Sequence, residues 1–490
     1  MSLSYLLADD HTTMLNIIEK ILCHFESCFS RKAAFRWFVI IITGLMLRSD
    51  KLGVTSILRD LALAPGCYDS MLHFFRASSW SLEDIRKRWF SAVRLYAPLY
   101  KEGNFHVLVG DGVKQSKEGR RMPGVKKLFQ ESENSAKPEY MHGHMFGGLG
   151  ILAGNFRSWA CIPLSIRLHD GLQAAREWKG ASVSTASHVV QMVEDSYHAA
   201  LTFGDSLLLL DRYFLTVPAL EKLRELNNSG KVHMEIVTKA KKSCTAFQKP
   251  GPRKPGRGRP PKKGDAVHLK GLFASHKEQF METETELYGK KKTIRYYSID
   301  LLWGQKLYQE LRFVLVEMDG IQSILASTSL ALDPLSIIRL YSYRFRIECT
   351  FRELKQQTGA FCYHFWSKHM PKLSYYQKKG EPTPLERVED ERSRKKILKT
   401  VRAIEVHMEL SCIAMGILQT LSIRFIGKVC SSQIRYQRTP SKGRVSEAAL
   451  MHYFRKHFFR LLEQKPKSYI TQIIHELQEE SEKHWDFLAS

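Results

Sequence analysis

Disulfide-forming cysteine is scarce in this chain. Its 490 residues include nine cysteines, an odd number, widely spaced and without any Cys-x-x-Cys pair. That pattern argues against a disulfide framework and against a structural zinc site. The cysteines read as reduced thiols of a reducing, bacterial-type cytoplasm. Long apolar runs are also missing: the longest, Trp37 to Leu47, has 11 residues and contains Thr and Gly. A spanning helix needs about 20 apolar residues, so no membrane span is expected. Asp9 and Asp10 stand where a secretory leader would need a positive start and an unbroken apolar stretch. Acid is in deficit as well, with 50 Asp and Glu against 74 Lys and Arg, a formal charge of +24. Such an excess attracts polyphosphate and predicts steep salt dependence, which makes nucleic acid the first partner to consider. An anionic membrane is the weaker choice, because no basic amphipathic anchor stands out. With 44% hydrophobic and 11% aromatic residues, the chain is not disordered throughout. Its length suits roughly three domains of about 150 residues.

The apolar spacing is helical from Ser4 to Tyr96. Val54 to Leu63 and Tyr68 to Ala77 read as two helices separated by Ala64-Pro65-Gly66-Cys67. This pair is either a helix-turn-helix reader of DNA or a plain packing unit. After Asn104 the pattern changes. Phe105 to Val109, Met145 to Leu152 and Trp159 to Leu168 are short runs rich in β formers. A helix from His188 to Leu201, a strand at Ser206 to Leu210, a helix from Val217 to Leu226 and a strand at Val232 to Val237 follow. That order predicts a mixed α/β fold with central strands covered on both faces. Lys249 to Lys263 holds seven Lys or Arg, five Pro and three Gly in fifteen residues, with no acid. It cannot pack a core. Strand-like runs at Thr293 to Ile299, Phe313 to Glu317 and Ser323 to Ser329 suggest a small β-rich insertion. A helical pattern then opens at Asp333-Pro334 and runs to about Gln357, and further helices are expected over 395–425 and 445–480.

Two apolar strands close on an aspartate, FHVLVGD on Asp111 and SLLLLD on Asp211. Strand ends of an open α/β sheet are where side chains leave the packed interior and meet a ligand. A single Asp there is usually a turn former. Two carboxylates with a third on a neighbouring helix make a candidate site for hard divalent cations, which take oxygen ligands. Treating 334–357 as one helix at 100° per residue puts Tyr341, Arg344, Glu348 and Lys355 on a stripe about 60° wide. Leu340, Ile347, Phe351 and Leu354 make the neighbouring flank apolar and able to dock on the sheet. Glu353 falls about 140° from Glu348 on this wheel and is the poorer acid. The plainer alternative, a solvated face with an i,i+4 Arg–Glu pair, explains Arg344 and Glu348 but not the whole stripe.

The run Tyr341, two residues, Arg344, three, Glu348, six, Lys355 has the spacing of the YREK signature of insertion-sequence transposases of family four, within the DDE transposases. DGVKQSKEGRRMPGVKK from Asp111 and LLLLDRYF around Asp211 resemble that family's first and second acidic motifs, in the same order. The resemblance covers about residues 50 to 370. It implies an RNase H-like mixed sheet core with a β-rich insertion, flanked by all-α regions. The boundaries expected are a helical DNA-binding region over 1–100, core over 101–240 and 333–375, a basic insertion over 241–332 and a helical C-terminal region over 376–490. Asp111, Asp211 and Glu348 would be the catalytic, metal-holding triad for two Mg²⁺ ions, with Mn²⁺ as a substitute. Tyr341, Arg344 and Lys355 would grip phosphates beside the cleaved strand.

The segment after Asp111 adds Lys114, Lys117, Arg120, Arg121, Lys126 and Lys127. Charge runs are often only solvated faces, but one tethered to a metal site suits DNA. Arg257 and Arg259, in RGRP, resemble an AT-hook for a minor groove; a flexible basic linker is the alternative. The resemblance further implies that a tryptophan in the insertion, here Trp303, would stack a base flipped from the cut end; the ordinary role of a core anchor is the alternative. His142 and His144 read as strand-end or DNA contacts rather than ligands of hard Mg²⁺.

The expected function is therefore a cut-and-paste DNA transposase, at least dimeric on DNA, acting on double-stranded transposon ends and target. Two alternatives stay open: an RNase H-like nuclease or resolvase without strand transfer, and a domesticated DNA-binding protein that uses only its basic segments.

Overall fold

The computed structural model describes residues 3–51, 53–130, 138–155, 158–178, 187–251, 260–376, 381–425 and 445–478. In chain order, helices α1 (Leu3–Cys23), α2 (Lys32–Leu47), α3 (Thr55–Asp60), α4 (Cys67–Arg76) and α5 (Leu82–Tyr96) come first. Strands β1 (Lys101–Glu102), β2 (Phe105–Ser116), β3 (Lys126–Phe129), β4 (Tyr140–Asn155) and β5 (Ser158–Leu168) follow. Next are α6 (Gln173–Glu177), α7 (His188–Phe203), β6 (Ser206–Leu209), α8 (Val217–Asn227), β7 (Met234–Ala240), β8 (Thr245–Phe247), β9 (Ala266–His268) and α9 (Leu272–Ser275). Strands β10 (Met281–Leu287), β11 (Lys290–Trp303), β12 (Gln309–Met318) and β13 (Ile321–Ser327) lead to α10 (Pro334–Tyr343), α11 (Arg346–Glu353), α12 (Glu391–Arg424) and α13 (Glu447–Gln464). The fold is mixed α/β with a mixed sheet and helical regions, as expected of an RNase H-like core.

Contacts divide the chain into two compact units that do not follow its linear order. One comprises Met1–Leu99, Gly112–Thr185 and Cys349–Ser490, the other Tyr100–Asp111 and Ala186–Glu348. In the first, α12 is the spine, starting where Asp390 accepts from the backbone N–H groups of Arg392 and Ser393. It packs on β5, α2, α4, α5 and α13. Gly416 lets α5 come close, since a Cβ there would lie 2.3 Å from the Trp89 ring. Trp89 in turn donates its indole N–H to the Pro163 carbonyl of β5 at 2.9 Å. Helix α12 is long and apolar enough to cross a membrane, yet its apolar window is wholly buried in the protein. Its acid Glu409 is fully buried and accepts from Arg86 Nε of α5 at 2.9 Å, which compensates a charge that would be costly alone. Helices α3 and α4, the expected helix pair, bury Ile57, Leu58, Met71, Phe74 and Phe75 and pack on α2. Strands β4 and β5 form a long antiparallel hairpin, and β3 pairs antiparallel with β4.

The second unit is built on a sheet. The first half of β2 pairs parallel with β6, and β6 parallel with β7. Helix α8 joins β6 to β7 and is capped by Thr216, whose hydroxyl accepts from Ala219 N, with Pro218 in its first turn. From β7 the sheet turns antiparallel through β13, β12 and β11, with β10 as a hairpin partner of β11. The three strand-like runs expected in the insertion are thus real strands, β11 and β12 longer than their apolar runs and β13 starting two residues earlier than its run.

Two expectations need correction. The helical pattern from Asp333 to Gln357 is not one helix. Amides of Arg344, Ile347 and Glu348 bond three residues back, to Tyr341, Arg344 and Phe345. A three-residue turn advances about 120° per residue instead of 100°, so the phase of the wheel is lost there. A π turn at Leu354–Thr358 shifts it again at Lys355. His144, read from sequence as a strand-end or DNA contact, is instead fully buried. Its Nδ1 lies 2.6 Å from the Tyr363 hydroxyl and its Nε2 2.9 Å from the Pro123 carbonyl.

Burial pushes the His144 imidazole down to about 3, with nearby Lys117 adding to the shift and the Pro123 bond opposing it. An unfolded histidine titrates near 6.5, so below that pH the unfolded chain binds a proton the folded one refuses. Stability is therefore present above pH 6.5 and lost as pH falls toward 3. Comparing wild type with His144→Gln by denaturant unfolding, the gap should narrow by ~2 kcal/mol between pH 7.5 and pH 5. A gap that stays constant would show that the imidazole titrates normally.

Candidate active site

Asp111 lies within β2 and Asp211 just past the end of β6, in matching register. The parallel pair β2–β6 matches Val109 with Leu209. Two residues on, each strand reaches its aspartate, and positions two apart point to the same face. Paired strands lie about 4.8 Å apart, which sets the two aspartates at neighbouring positions just past the last β2–β6 pair. Gly110 is required just before Asp111: a Cβ would lie 2.7 Å from Met192 Sδ of α7 and 2.9 Å from Leu210. Asp211 keeps an extended backbone and caps the following turn, its Oδ1 accepting from Tyr213 N at 2.8 Å. Its carbonyl accepts from the Thr238 hydroxyl of β7 at 2.7 Å.

The tight turn between α10 and α11 brings in the third acid. Arg344 donates Nη1 to Asp111 Oδ2 at 3.0 Å and pairs through Nη2 with Glu348. One guanidinium thus serves two acids whose mutual repulsion would otherwise oppose their approach. Despite burial, Asp111, Tyr341 and Glu348 raise the guanidinium's affinity for its proton. Tyr341 is pushed up to about 12, first by burial and then by the charges of Asp211 and Asp111, with Arg344 opposing. Its hydroxyl is neutral at physiological pH and can donate to an anion. Glu348 is over half exposed, on the open side. Among the described residues no three carboxylate, imidazole or thiol groups converge to metal-bonding distance. The donor set is nonetheless all oxygen and fits a hard divalent ion in kind.

The residues expected to touch phosphate are dispersed. Lys355, in the first unit, lies 5.3 Å from the Phe361 ring centre. Lys114 donates to the Phe129 carbonyl, Arg121 to those of Lys368 and Met370, and Lys126 to Asp170. Arg120 and Lys127 sit over the rings of Tyr375 and Tyr140. Lys117 is buried and donates to the carbonyls of Phe361 and Tyr363. Trp303 donates its N–H to Cys244 Sγ at 3.1 Å and is half-buried. Arg257 and Arg259 lie outside the described residues.

Two neighbours of the acids escaped sequence reading. Tyr288 and Gly289 form the two-residue loop of the β10–β11 hairpin, both with positive φ, 54° and 74°. Asn-Gly suits such a turn, and tyrosine there is strained. Its ring packs at a tilt against Phe345, centroids 5.6 Å apart, and burial raises its hydroxyl's proton affinity, with Arg344 opposing. Lys239, on β7, has its proton affinity lowered by burial and by the neighbouring cations Arg212, Lys242 and Arg344. A Tyr-Gly pair between alternating strands was the available signal for the first; nothing local marks the second.

A family model described as DDE superfamily endonuclease matches residues 24–297. The chain belongs to this family. The match includes Asp111 and Asp211 and ends before Glu348. No curated protein matches the chain. As a DDE endonuclease the protein is a DNA-cleaving enzyme of nuclease or transposase type, a class that generally uses divalent metal ions such as Mg²⁺.

Strain at Tyr288 in this DDE endonuclease implies a trade-off between stability and activity. Tyr288→Asn should leave unfolding free energy within ~1 kcal/mol of wild type, since relief of the left-handed strain offsets the lost ring contact. DNA cleavage should fall by about tenfold or more through lost positioning. Unchanged cleavage would make the tyrosine merely a tolerated turn residue.

Proposed function

We propose that this DDE endonuclease is a cut-and-paste transposase of the insertion-sequence family four type, binding terminal inverted repeats, cleaving the ends and joining the freed 3′-hydroxyls to target DNA. The supporting observation is that Arg344 links Asp111 to Glu348 inside the Tyr–Arg–Glu–Lys spacing, while Asp111 and Asp211 each follow the last β2–β6 pair by two residues.

Asp111, Asp211 and Glu348 would hold the divalent ions, two Mg²⁺ or Mn²⁺. When bound, such ions activate a water or a 3′-hydroxyl at neutral pH and stabilise the leaving oxygen of an in-line displacement. In end cleavage the attacking water oxygen bonds to phosphorus as the bond to the 3′ oxygen breaks, leaving a 3′-hydroxyl and a 5′-phosphate. That 3′-hydroxyl oxygen then bonds to a target phosphorus as the target's own bond from phosphorus to its 3′ oxygen breaks, joining the strands and freeing a target 3′-hydroxyl. Arg344 exchanges its carboxylate partners for a phosphate, where its planar fork can bind bidentately. Tyr341 donates a neutral hydrogen bond to the same strand, and Lys239 adds charge beside it. Residues 1–100 and the basic insertion supply further duplex contacts, and two protomers hold the two ends together. This reading requires a compartment where DNA is accessible and thiols stay reduced, such as a bacterial cytoplasm. The described cysteines are free thiols.

The test is cleavage of end DNA carrying the element's inverted repeats, with Mg²⁺ or Mn²⁺. Asp111→Asn, Asp211→Asn and Glu348→Gln should each reduce cleavage by at least about a hundredfold while still retarding end DNA on a gel. Normal turnover by any one variant removes that residue from the site. A plasmid integration assay separates the transposase from a nuclease without strand transfer, because only the former leaves joined product.

A further inference from the structure

The first unit carries a second surface suited to nucleic acid, on the β3–β4 hairpin. Its register sets Lys127 opposite His142 and Phe129 opposite Tyr140. Directly opposed residues share a face, as do residues two apart, so these four side chains stand together. Leu128, between them in β3, points the other way and is buried. Phe129 and Tyr140 are 46% and 45% exposed, large aromatic areas of a kind that folding usually covers more fully. Their rings meet edge to face at 5.5 Å, and Lys127 Nζ lies 4.4 Å over the Tyr140 ring. At the other end of the patch, the His142 ring lies 4.3 Å from that of Tyr375, and the Arg120 guanidinium sits 4.5 Å over Tyr375. Lys114 reaches the patch as well, donating to the Phe129 carbonyl. Lys126, on the opposite face, is paired with Asp170.

Aromatic faces interleaved with cations are what an unpaired strand requires: rings accept unstacked bases, and cations follow the phosphates. A duplex presents no base faces to these rings. A second copy of the chain would bring the same positive charge against the patch. We propose that this hairpin face binds single-stranded DNA, stacking bases on Phe129, Tyr140 and the His142–Tyr375 pair while Lys114, Arg120 and Lys127 hold the backbone. The proposal rests on the DNA-processing reading above and adds a ligand to it: unpaired DNA, held by residues of the first unit.

The test uses the full chain, in EDTA so that no cleavage occurs, with a labelled oligothymidine of about ten nucleotides and a blunt duplex as probes. The double variant Phe129→Ala/Tyr140→Ala should bind the oligothymidine about fivefold or more weakly. Its duplex affinity should stay within about twofold. The aromatic-preserving pair Phe129→Tyr/Tyr140→Phe should bind like wild type. Unchanged oligothymidine binding by the alanine pair, equal losses on both probes, or an equal loss in the aromatic-preserving pair would each overturn the proposal. So would a wild-type dimer that the alanine pair dissociates without weakening oligothymidine binding, since the occupant would then be a second copy. Because metal is withheld, the result is independent of the cleavage assay: failure of the acid substitutions there would remove the catalytic triad and leave this measurement standing.

Discussion

Everything proposed for this site depends on holding like charges close together. Asp111, Asp211 and Glu348 repel one another, and in a partly buried site water does little to screen them. Arg344 meets that cost directly, because its guanidinium bonds Asp111 and pairs with Glu348. The same neutralisation is what a divalent cation would supply, with more charge and no side-chain entropy. Arg344 therefore keeps the acids in place and is a group that phosphate can draw away.

Placing the acids is a task shared by backbone and packing. Register between β2 and β6 aligns the two aspartates, and Gly110 allows the end of β2 to pass Met192 without a Cβ in the way. Three-residue bonding at 344–348 breaks the continuous helix where Arg344 and Glu348 sit. In the other unit, α12 works on the same principle of close approach, with Gly416 admitting Trp89. An acid buried at Glu409 is tolerable there because Arg86 faces it.

Much of the architecture was legible from sequence. Alternating and uninterrupted apolar runs located the strands, because side-chain period follows directly from backbone geometry. Asp333 and Pro334 marked the start of α10 for local reasons. The helical wheel failed at Arg344 and again at Lys355, where bonding left the α pattern and the assumed 100° step no longer held. His144 misled for a different cause: a histidine at a strand position looks the same in sequence whether it meets solvent or Tyr363. The basic run after Asp111 was legible as charge, but its individual partners, such as two carbonyls for Lys117 and a ring for Lys127, were not.

The sequence by itself determined the charge balance, the periodicity of the elements, the two strand-ending aspartates and the spacing from Tyr341 to Lys355, because each is set by composition or by neighbours along the chain. Only the tertiary structure decided that Arg344 bridges two acids, that Tyr288 closes a strained turn beside them, and that Lys127, Phe129, Tyr140 and His142 share one open face. Those relations join residues up to hundreds of positions apart, and they depend on strand register and packing that no local pattern encodes.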